Sequence, residues 1–422
     1  MQDWDFSPPP PSDLGDHDVP QEGQHLRGRR VALLVTGGIA AIKAPFIARA
    51  LRRQGADVVA FASSEGLRYV AEEALAWSTT HPVVTRLTPA AEHLSDDAPF
   101  DAYLVAPATY NTINKMRHGV ADTVVTSTLG SALGRMERGK TAVLVAPTMH
   151  GSLHTTILTE SMKALSQMGV RIIPPREDYG KHNIPPEERL VAEVCRAVSG
   201  SPLKGAPILV SGGPTPVPID AVRRISNRFS GKLGITVAEE LYLRGADAFL
   251  VHAGNVMRPP DYLPHRLAAT FDDYLDAVME ELGRRATFAG VFSAAVADYR
   301  PEEVLSGKTP SGGALQTLKL TPTVKVIGRV QESFPDLHLV SFKYEEGVSH
   351  EKLIEIARER LEKGHDAVVA NRGEEGEEAG VQVAYLVTRE GERRAVGKPQ
   401  IARAIADYLE EVAQESSLRE GP

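Results

Sequence analysis

Two tandem α/β domains, each organised on a largely parallel sheet, are the fold this sequence predicts. Short, mostly apolar runs alternate with helical patterns, which marks a parallel sheet covered on both faces. The alternation breaks once, at Ser199-Gly-Ser-Pro-Leu-Lys-Gly205, and then restarts. A length of 422 residues is also too great for one small core. The expected division is a disordered tail over 1–27, a first domain over 28–200, a linker over 201–205, a second domain over 206–415 and a short tail over 416–422.

The first domain has strand candidates at 31–35, 57–62, 102–106, 141–146 and 170–173, and a helical pattern over 39–54 closed by Gly55. The second has strand candidates at 208–210, 248–251, 290–293, 338–341 and 367–370. A closing antiparallel pair at 383–387 and 392–396 and a final helix over 398–415 complete it. The tail over 1–27 carries Pro8-Pro-Pro-Pro11 with many Asp, Gln and Gly, and by composition it buries nothing. Ligands of such sheets bind beyond the carboxyl ends of the strands. In the first domain Thr36-Gly-Gly38, Ser63-Ser64, Pro107-Ala-Thr109 and Pro147-Thr-Met149 fall there.

The totals exclude several classes. Hydrophobic residues make up 42% and charged residues 24%, an ordinary globular composition. The net charge of −8 speaks against broad nucleic-acid or anionic-membrane binding, while leaving room for a local basic pocket. Cys195 is the single cysteine and falls in a helical pattern over 190–198, so no disulfide framework and no cysteine-based zinc site is expected. No apolar run approaches the roughly 18 residues of a membrane span. The N-terminus lacks a cationic start followed by an apolar core. A cytoplasmic location is the expectation.

The most informative stretch runs from Val210 to Gly234. A strand-to-helix connection needs roughly two to six residues, and this one uses about twenty. It packs glycines, prolines, hydroxyls, arginines and a lysine ahead of a well-patterned helix over 232–244. Such a connection reads as a phosphate- or nucleotide-handling site. In the first domain, Thr36-Gly-Gly-Ile-Ala-Ala-Ile-Lys43 joins a strand to a helix, where free N–H groups and the helix dipole favour an anion. It lacks the G-x-G-x-x-G spacing of a dinucleotide fold, so NAD is disfavoured. The hydroxyls and amide of Pro107-Ala-Thr-Tyr-Asn-Thr112 suit a polar ligand edge.

Together these first-domain motifs resemble the flavin-dependent cysteine decarboxylases, specifically the phosphopantothenoylcysteine decarboxylase half of the bifunctional coenzyme A enzymes. The family's opening turn stands as Gly37-Gly-Ile-Ala-Ala-Ile-Lys43, and its A-P-A-T/S-x-N-T motif as Ala106-Pro-Ala-Thr-Tyr-Asn-Thr112. His93 holds the offset of the family's catalytic histidine, and 121–127 looks like its A-N-D-L-V-S-T segment. The resemblance implies a flavodoxin-like or Rossmann-type sheet binding FMN through Gly37, Gly38, Ile39, Ser63, Pro107, Ala108, Thr109, Asn111 and Thr112. It implies oxidation of a C-terminal cysteine to a thioaldehyde, then loss of carbon dioxide to leave an enethiol. Two departures stand out. The substrate-clamping P-A-M-N is Pro147-Thr-Met-His150, and the flap that carries a cysteine in the family is matched by 175–184, which has none. The half is therefore expected to bind FMN but to be altered or inactive as a decarboxylase.

The second half resembles phosphopantothenate–cysteine ligase over 206–410. The family's longest motif is matched from Gly213-Pro-Thr through Ile225-Ser-Asn227 to Ser230-Gly-Lys-Leu-Gly234, with Phe229 in place of a serine. Its A-A-A-V-A-D-Y/W-R stands as Ser293-Ala-Ala-Val-Ala-Asp-Tyr-Arg300, its mobile lysine as Lys308, and its G/S-F-x-x-E-T as Ser341-Phe-Lys-Tyr-Glu-Glu346. The resemblance implies a Rossmann-like ligase domain. There the carboxylate of 4′-phosphopantothenate attacks the α-phosphate of a nucleoside triphosphate, and cysteine then opens the acyl-nucleotide. Asn227 would hold the acyl intermediate and Lys308 would serve the second step. Gly212, Gly213, Pro214, Ser230, Gly231, Lys232, Ala294, Ala295 and Lys343 would contact nucleotide or substrate, and Phe342 would pack on the base. Asp298 would contact ribose or help hold Mg²⁺. Ser341-Phe-Lys-Tyr-Glu345 looks like the ATP-using eukaryotic form, whereas bacterial enzymes generally use CTP, so CTP and ATP both stay open. The family's K-I-K-K becomes Lys308-Thr-Pro-Ser311, which removes cations. A homo-oligomer is implied, from dimers of ligase halves and trimers of flavin halves up to a dodecamer. The alternatives are a divergent paralogue acting on another carboxylate or thiol, and a flavin-binding regulatory protein.

Overall fold

The structure, a computed structural model, describes residues 6–94, 97–254, 257–308, 317–375 and 380–420. The chain divides into two compact units, one ending at Ser199 and one beginning at Gly200. In the first unit five parallel strands, β1 (Arg30–Val35), β2 (Asp57–Ala62), β3 (Ala102–Ala108), β4 (Ala142–Pro147) and β5 (Arg171–Ile172), lie in the order β2-β1-β3-β4-β5. Their apolar residues are buried almost without exception because helices cover both faces. The helices are α1 (Ala44–Arg53), α2 (Glu72–Thr79), α3 (Tyr110–Arg117), α4 (Val124–Glu137), α5 (Thr156–Gln167) and α6 (Glu187–Val198). Residues Leu34, Phe61, Tyr103, Val105, Leu129 and Leu158 belong to one core cluster. Each fully buried side chain of this size contributes roughly 1.5–3 kcal/mol. Cys195 lies wholly buried in α6.

In the second unit six parallel strands carry the fold: β6 (Pro207–Gly212), β7 (Asp247–Ala253), β8 (His265–Ala268), β9 (Ala289–Phe292), β10 (His338–Glu345) and β11 (Ala367–Arg372). The antiparallel strands β12 (Val383–Val387) and β13 (Glu392–Val396) close one edge, and the order is β8-β7-β6-β9-β10-β11-β12-β13. The helices that matter below are α7 (Lys232–Leu243), α8 (Phe271–Arg284), α9 (Val326–Ser333) and α10 (His350–Glu362).

Several expectations need correction. The tail does not bury nothing: Val19 and Leu26 are buried. Glu22 and Gly23 donate backbone N–H bonds to Arg53 O, and Leu26 donates to Gln54 O. Two apolar side chains within a polar, proline-rich run are too weak a compositional signal to reveal this anchor. The helical pattern at 39 opens as a 3₁₀ turn (Ile39–Lys43) before α1 begins. The edge strand β8 escapes the reading because His265-Arg-Leu-Ala268 has a single buried residue. The final helix extends to Glu420.

Both sheets change direction once. In the first unit the chain leaves β1 to one side for β2 and returns on the other side for β3; in the second it leaves β6 for β7 and returns for β9. A crevice opens at such switch points, beyond the strands' carboxyl ends. The loops after β1 and β3 face one crevice, and those after β6 and β9 the other.

Candidate active sites

The first crevice holds a cavity of about 1130 Å³. Gly37, Gly38, Ile39, Ser63, Pro107, Thr109, Asn111 and Thr112 line it. Thr36 Oγ1 donates to Pro107 O at 2.7 Å, tying the two switch-point loops together. Thr109 is the N-cap residue of α3, and its hydroxyl meets Thr112 Oγ1 at 3.1 Å. Two predicted residues fall elsewhere. Ala108 is fully buried in the core cluster, because alternation along β3 turns it away from the cavity. His93 does not line the cavity; it sits half-buried in a turn before β3, and its Nδ1 is buried without a hydrogen-bond partner.

The cavity also takes residues that the motifs did not assign to flavin contacts. Lys43 pairs with Glu187 at 3.0 Å and Lys115 with Asp122 at 2.6 Å, which holds the Asp122 carboxyl below its usual range. The cysteine-free flap is a hairpin. Arg176–Asp178 pairs antiparallel with Lys181–Asn183 about a turn at Tyr179 and Gly180, and Lys181–Asn183 pairs in turn with Met149–His150. Arg176, Lys181, His182 and His150 thereby line the cavity. His150, which replaces the clamp asparagine, keeps its Nδ1 2.8 Å from Ser152 Oγ. The Tyr-Gly pair between short charged runs was the available signal for this hairpin.

These residues fit a flavin. Ile39 and Ile42, 70% and 49% exposed, offer apolar surface at the cavity wall for a ring system. Hydroxyls and amides at Ser63, Thr109 and Asn111 and the lysines supply the polar contacts a ribityl phosphate needs.

The second crevice holds a cavity of about 1250 Å³. Gly213, Asn227, Ser230, Gly231, Lys232, Ala294, Ala295, Asp298, Phe342 and Lys343 line it. Its floor is a set of interlocked glycines. Gly213 has φ +84, and a methyl there would lie 2.0 Å from Ala253 O. Gly231, the uncapped N-cap of α7, has φ +80, and a methyl there would meet His252 Cε1 at 2.4 Å and Gly213 Cα at 2.7 Å. Gly212 is buried, away from the cavity, where it lets β6 approach Gly234 of α7. Pro214 likewise stays off the cavity and pairs with Ala295 as an isolated bridge. Asn227 Nδ2 donates to Ala295 O at 2.9 Å, and Ala295 N donates to Gly213 O at 2.9 Å, so the loops after β6 and β9 form one wall.

Lys308 is exposed and does not line this cavity, and Thr309, Pro310 and Ser311 lie outside the described residues. Asp298, 69% exposed, pairs with Lys325 at 2.5 Å, a cation the motifs did not single out. Lys343 pairs with Glu345 at 2.6 Å. Asp220 caps its turn by accepting from Val222 N at 2.8 Å and Arg223 N at 2.7 Å. Phe229, the serine replacement, meets Tyr344 edge-on at 5.5 Å, while Arg228 reaches Glu346 at 3.1 Å. Glu346 raises the Tyr344 hydroxyl's pKa by accepting its hydrogen bond. At the cavity wall, His365 Nδ1 lies 2.6 Å from Ser341 Oγ, and burial pushes its pKa down to about 4.

Comparison with known proteins follows the same division. A family model described as a flavoprotein matches residues 20–199, and one described as the C-terminal domain of DNA/pantothenate metabolism flavoprotein matches 203–413. The coenzyme A biosynthesis bifunctional protein CoaBC of Thermococcus kodakarensis is 36% identical over 357 residues, 83% of this chain and 87% of that protein. Its namesake in Methanocaldococcus jannaschii is 28% identical over 394 residues, 92% of this chain and 95% of that protein. A crystal structure of the DNA/pantothenate metabolism flavoprotein from Streptococcus pneumoniae is 26% identical, with a TM-score of 0.44, covering 49% of this chain and all of that one. No described helix is long and apolar enough to cross a membrane.

Proposed function

This chain belongs to the coenzyme A biosynthesis bifunctional proteins, and from that premise we propose which residues carry its two reactions. It is an enzyme of coenzyme A biosynthesis with a flavoprotein decarboxylase half and a ligase half. In the ligase half, the carboxylate of 4′-phosphopantothenate displaces pyrophosphate from CTP or ATP, and cysteine then converts the acyl-nucleotide to an amide. A carboxylate is a poor acyl donor until activated, and both steps develop negative charge that pre-placed donors must meet. Gly213, Gly231 and the N–H groups of the first turn of α7 receive phosphate, with Ser230 and Lys232 beside them. Asn227 holds the acyl intermediate, Phe342 packs on the base, and Lys308 reaches in for the second step.

Among the described residues no group of three or more histidine, cysteine or acidic side chains could hold a metal. Mg²⁺ would bridge triphosphate oxygens, with Asp298, a carboxylate lining the cavity and paired with Lys325, available to it. The observation that carries the ligase reading is the wall joined by Asn227 and Ala295 above the interlocked glycines.

In the decarboxylase half, the lined cavity fits FMN, which when bound supplies two-electron redox chemistry. The chain orients 4′-phosphopantothenoylcysteine against it from the flap and from His150. The departures read as altered chemistry on a preserved cavity. His93, outside the cavity of its own chain, is consistent with a flavin site completed by a second copy in a homo-oligomer.

The test is pyrophosphate release by purified protein given 4′-phosphopantothenate, cysteine and either CTP or ATP. Release with at least one nucleotide, with amide formed, is the expected outcome. A protein that carries FMN yet releases none with either would overturn the ligase assignment.

A further inference from the structure

Activating a carboxylate takes a nucleoside triphosphate, but the bond that breaks lies at the α-phosphate, so the chemistry does not choose the base. The wall the base lies on does. Phe342 and Tyr344 stand at the carboxyl end of β10, two positions apart, so they project from one face of the sheet about 7 Å from each other along the strand. Both line the second cavity. Phe229, from the loop ahead of α7, lines it too and meets the Tyr344 ring edge-on at 5.5 Å. The rings thus form a row from Phe342, where the base is placed, toward the phosphate loop at Ser230 and Gly231. The row is held in position. The Tyr344 hydroxyl donates to Glu346 Oε1 and accepts from Arg228 Nη2 at 3.3 Å, and Arg228 also reaches Glu346 at 3.1 Å. At the other end Phe342 O accepts from Arg360 Nη1 at 3.0 Å. Phe229 is still 42% exposed. An exposed aromatic ring offers nothing to a phosphate, but a flat ring system laid against it would take it out of water.

Hydrogen bonding at the edge of the base does not separate the two nucleotides. Asn371 is the register partner of Tyr344 on β11 and lines the same cavity. Its amide offers a donor beside an acceptor. Adenine and cytosine each present an exocyclic amine beside an unprotonated ring nitrogen, so such an amide suits both. What differs is the area they stack: two fused rings against one.

We propose that Phe229, together with Tyr344, extends the base platform of Phe342 so that the ligase half selects a purine nucleotide, ATP, over CTP. The proposal rests on the ligase reading above and names its nucleotide. Phe229 and Tyr344 set specificity and touch no reacting atom. Whichever base is present, a carboxylate oxygen bonds to the α-phosphorus, the bond from that phosphorus to the bridging oxygen breaks, and its electron pair leaves on pyrophosphate.

The experiment uses the full-length holoenzyme and measures the dissociation constants of ATP and CTP by calorimetry, with pyrophosphate release alongside. The wild type should bind ATP at least about tenfold more tightly than CTP, within the range that stacking one base on an aromatic side chain contributes. F229S should weaken ATP about tenfold and CTP by less than about threefold, and Y344A should do likewise. F229Y keeps a ring at the position and should hold the ratio of the two constants within about threefold of wild type. A merely structural loss would weaken both nucleotides together. The melting transition of the ligase unit reports folding; if F229S does not fold, Y344A carries the measurement. Wild type that binds CTP as tightly as ATP, or more tightly, overturns the proposal, while pyrophosphate release with CTP leaves the ligase reading intact. A folded F229S that weakens both nucleotides equally, or neither, also overturns it. Wild type that binds neither nucleotide and releases no pyrophosphate overturns both.

Discussion

At the ligase crevice a methyl on Gly213 would sit 2.0 Å from a backbone carbonyl, and Gly231 and Gly234 press on Gly213 and Gly212 in turn. At the flavin crevice Gly37 is crowded by Glu65 Cβ at 2.5 Å, but a methyl on Gly38 would meet nothing nearer than Thr109 Cγ2 at 3.5 Å. Both crevices sit at a switch point of a parallel sheet. One is cut to the backbone, the arrangement the proposed phosphate site uses. The other is walled by side chains and roofed by a hairpin. Backbone cradles tolerate little change, whereas side-chain walls can be re-lined. Departures from the family pattern occur on side chains at both crevices, at His150 and along the flap in one and at Phe229 in the other.

Substitutions should separate the two designs. The largest effect is expected from G213A, where a clash with backbone adds to a positive φ that L-residues occupy at a cost of roughly 1–2 kcal/mol. Ligation should fall below detection while FMN binding persists. Ligation within about tenfold of wild type would mean that the glycine floor is not the phosphate site. Next, K308Q should lower amide formation by about a hundredfold, the usual cost of losing one oxyanion donor, with pyrophosphate release less affected. Undiminished ligation would remove Lys308 from the mechanism.

The third prediction concerns pH. The folded pKa of His365, about 4, lies below its unfolded value near 6.5, so the unfolded chain binds more protons between those limits. The stability contributed by neutral His365 is present above about pH 6.5 and is lost as pH falls toward 4. The melting temperature of the ligase unit should drop over that window, and less steeply in H365N; an unchanged slope would show that His365 stays hydrated.

Smaller still, F229S restores the family serine and removes the edge-on contact with Tyr344, which should lower stability by about 0.5–1.5 kcal/mol in chemical denaturation. The smallest effect is expected from G38A. Its added methyl finds ordinary contact space, so flavin affinity should stay within about threefold of wild type. A large loss would place a phosphate directly on Gly38 and make the two crevices alike.

Reading residues in order was enough for the strand–turn–helix units and the motifs at their ends. Those depend on local requirements: an apolar run buried on both faces, a glycine where φ turns positive, a polar loop beyond a strand end. The motif between Val210 and Gly234 carried its own specificity for that reason. Pairings across long separations were not legible. Lys325 meets Asp298 27 residues away, His182 meets His154 28 residues away, and Arg228 meets Glu346 118 residues away. Strand order and hairpin placement bring these side chains together, and neither is written in any single window of sequence. Ala108 and His93 do not line the cavity of their own chain for the same reason. A motif names the residue types at a strand end, while the pleat and the packing of neighbouring loops set which of them face the cavity.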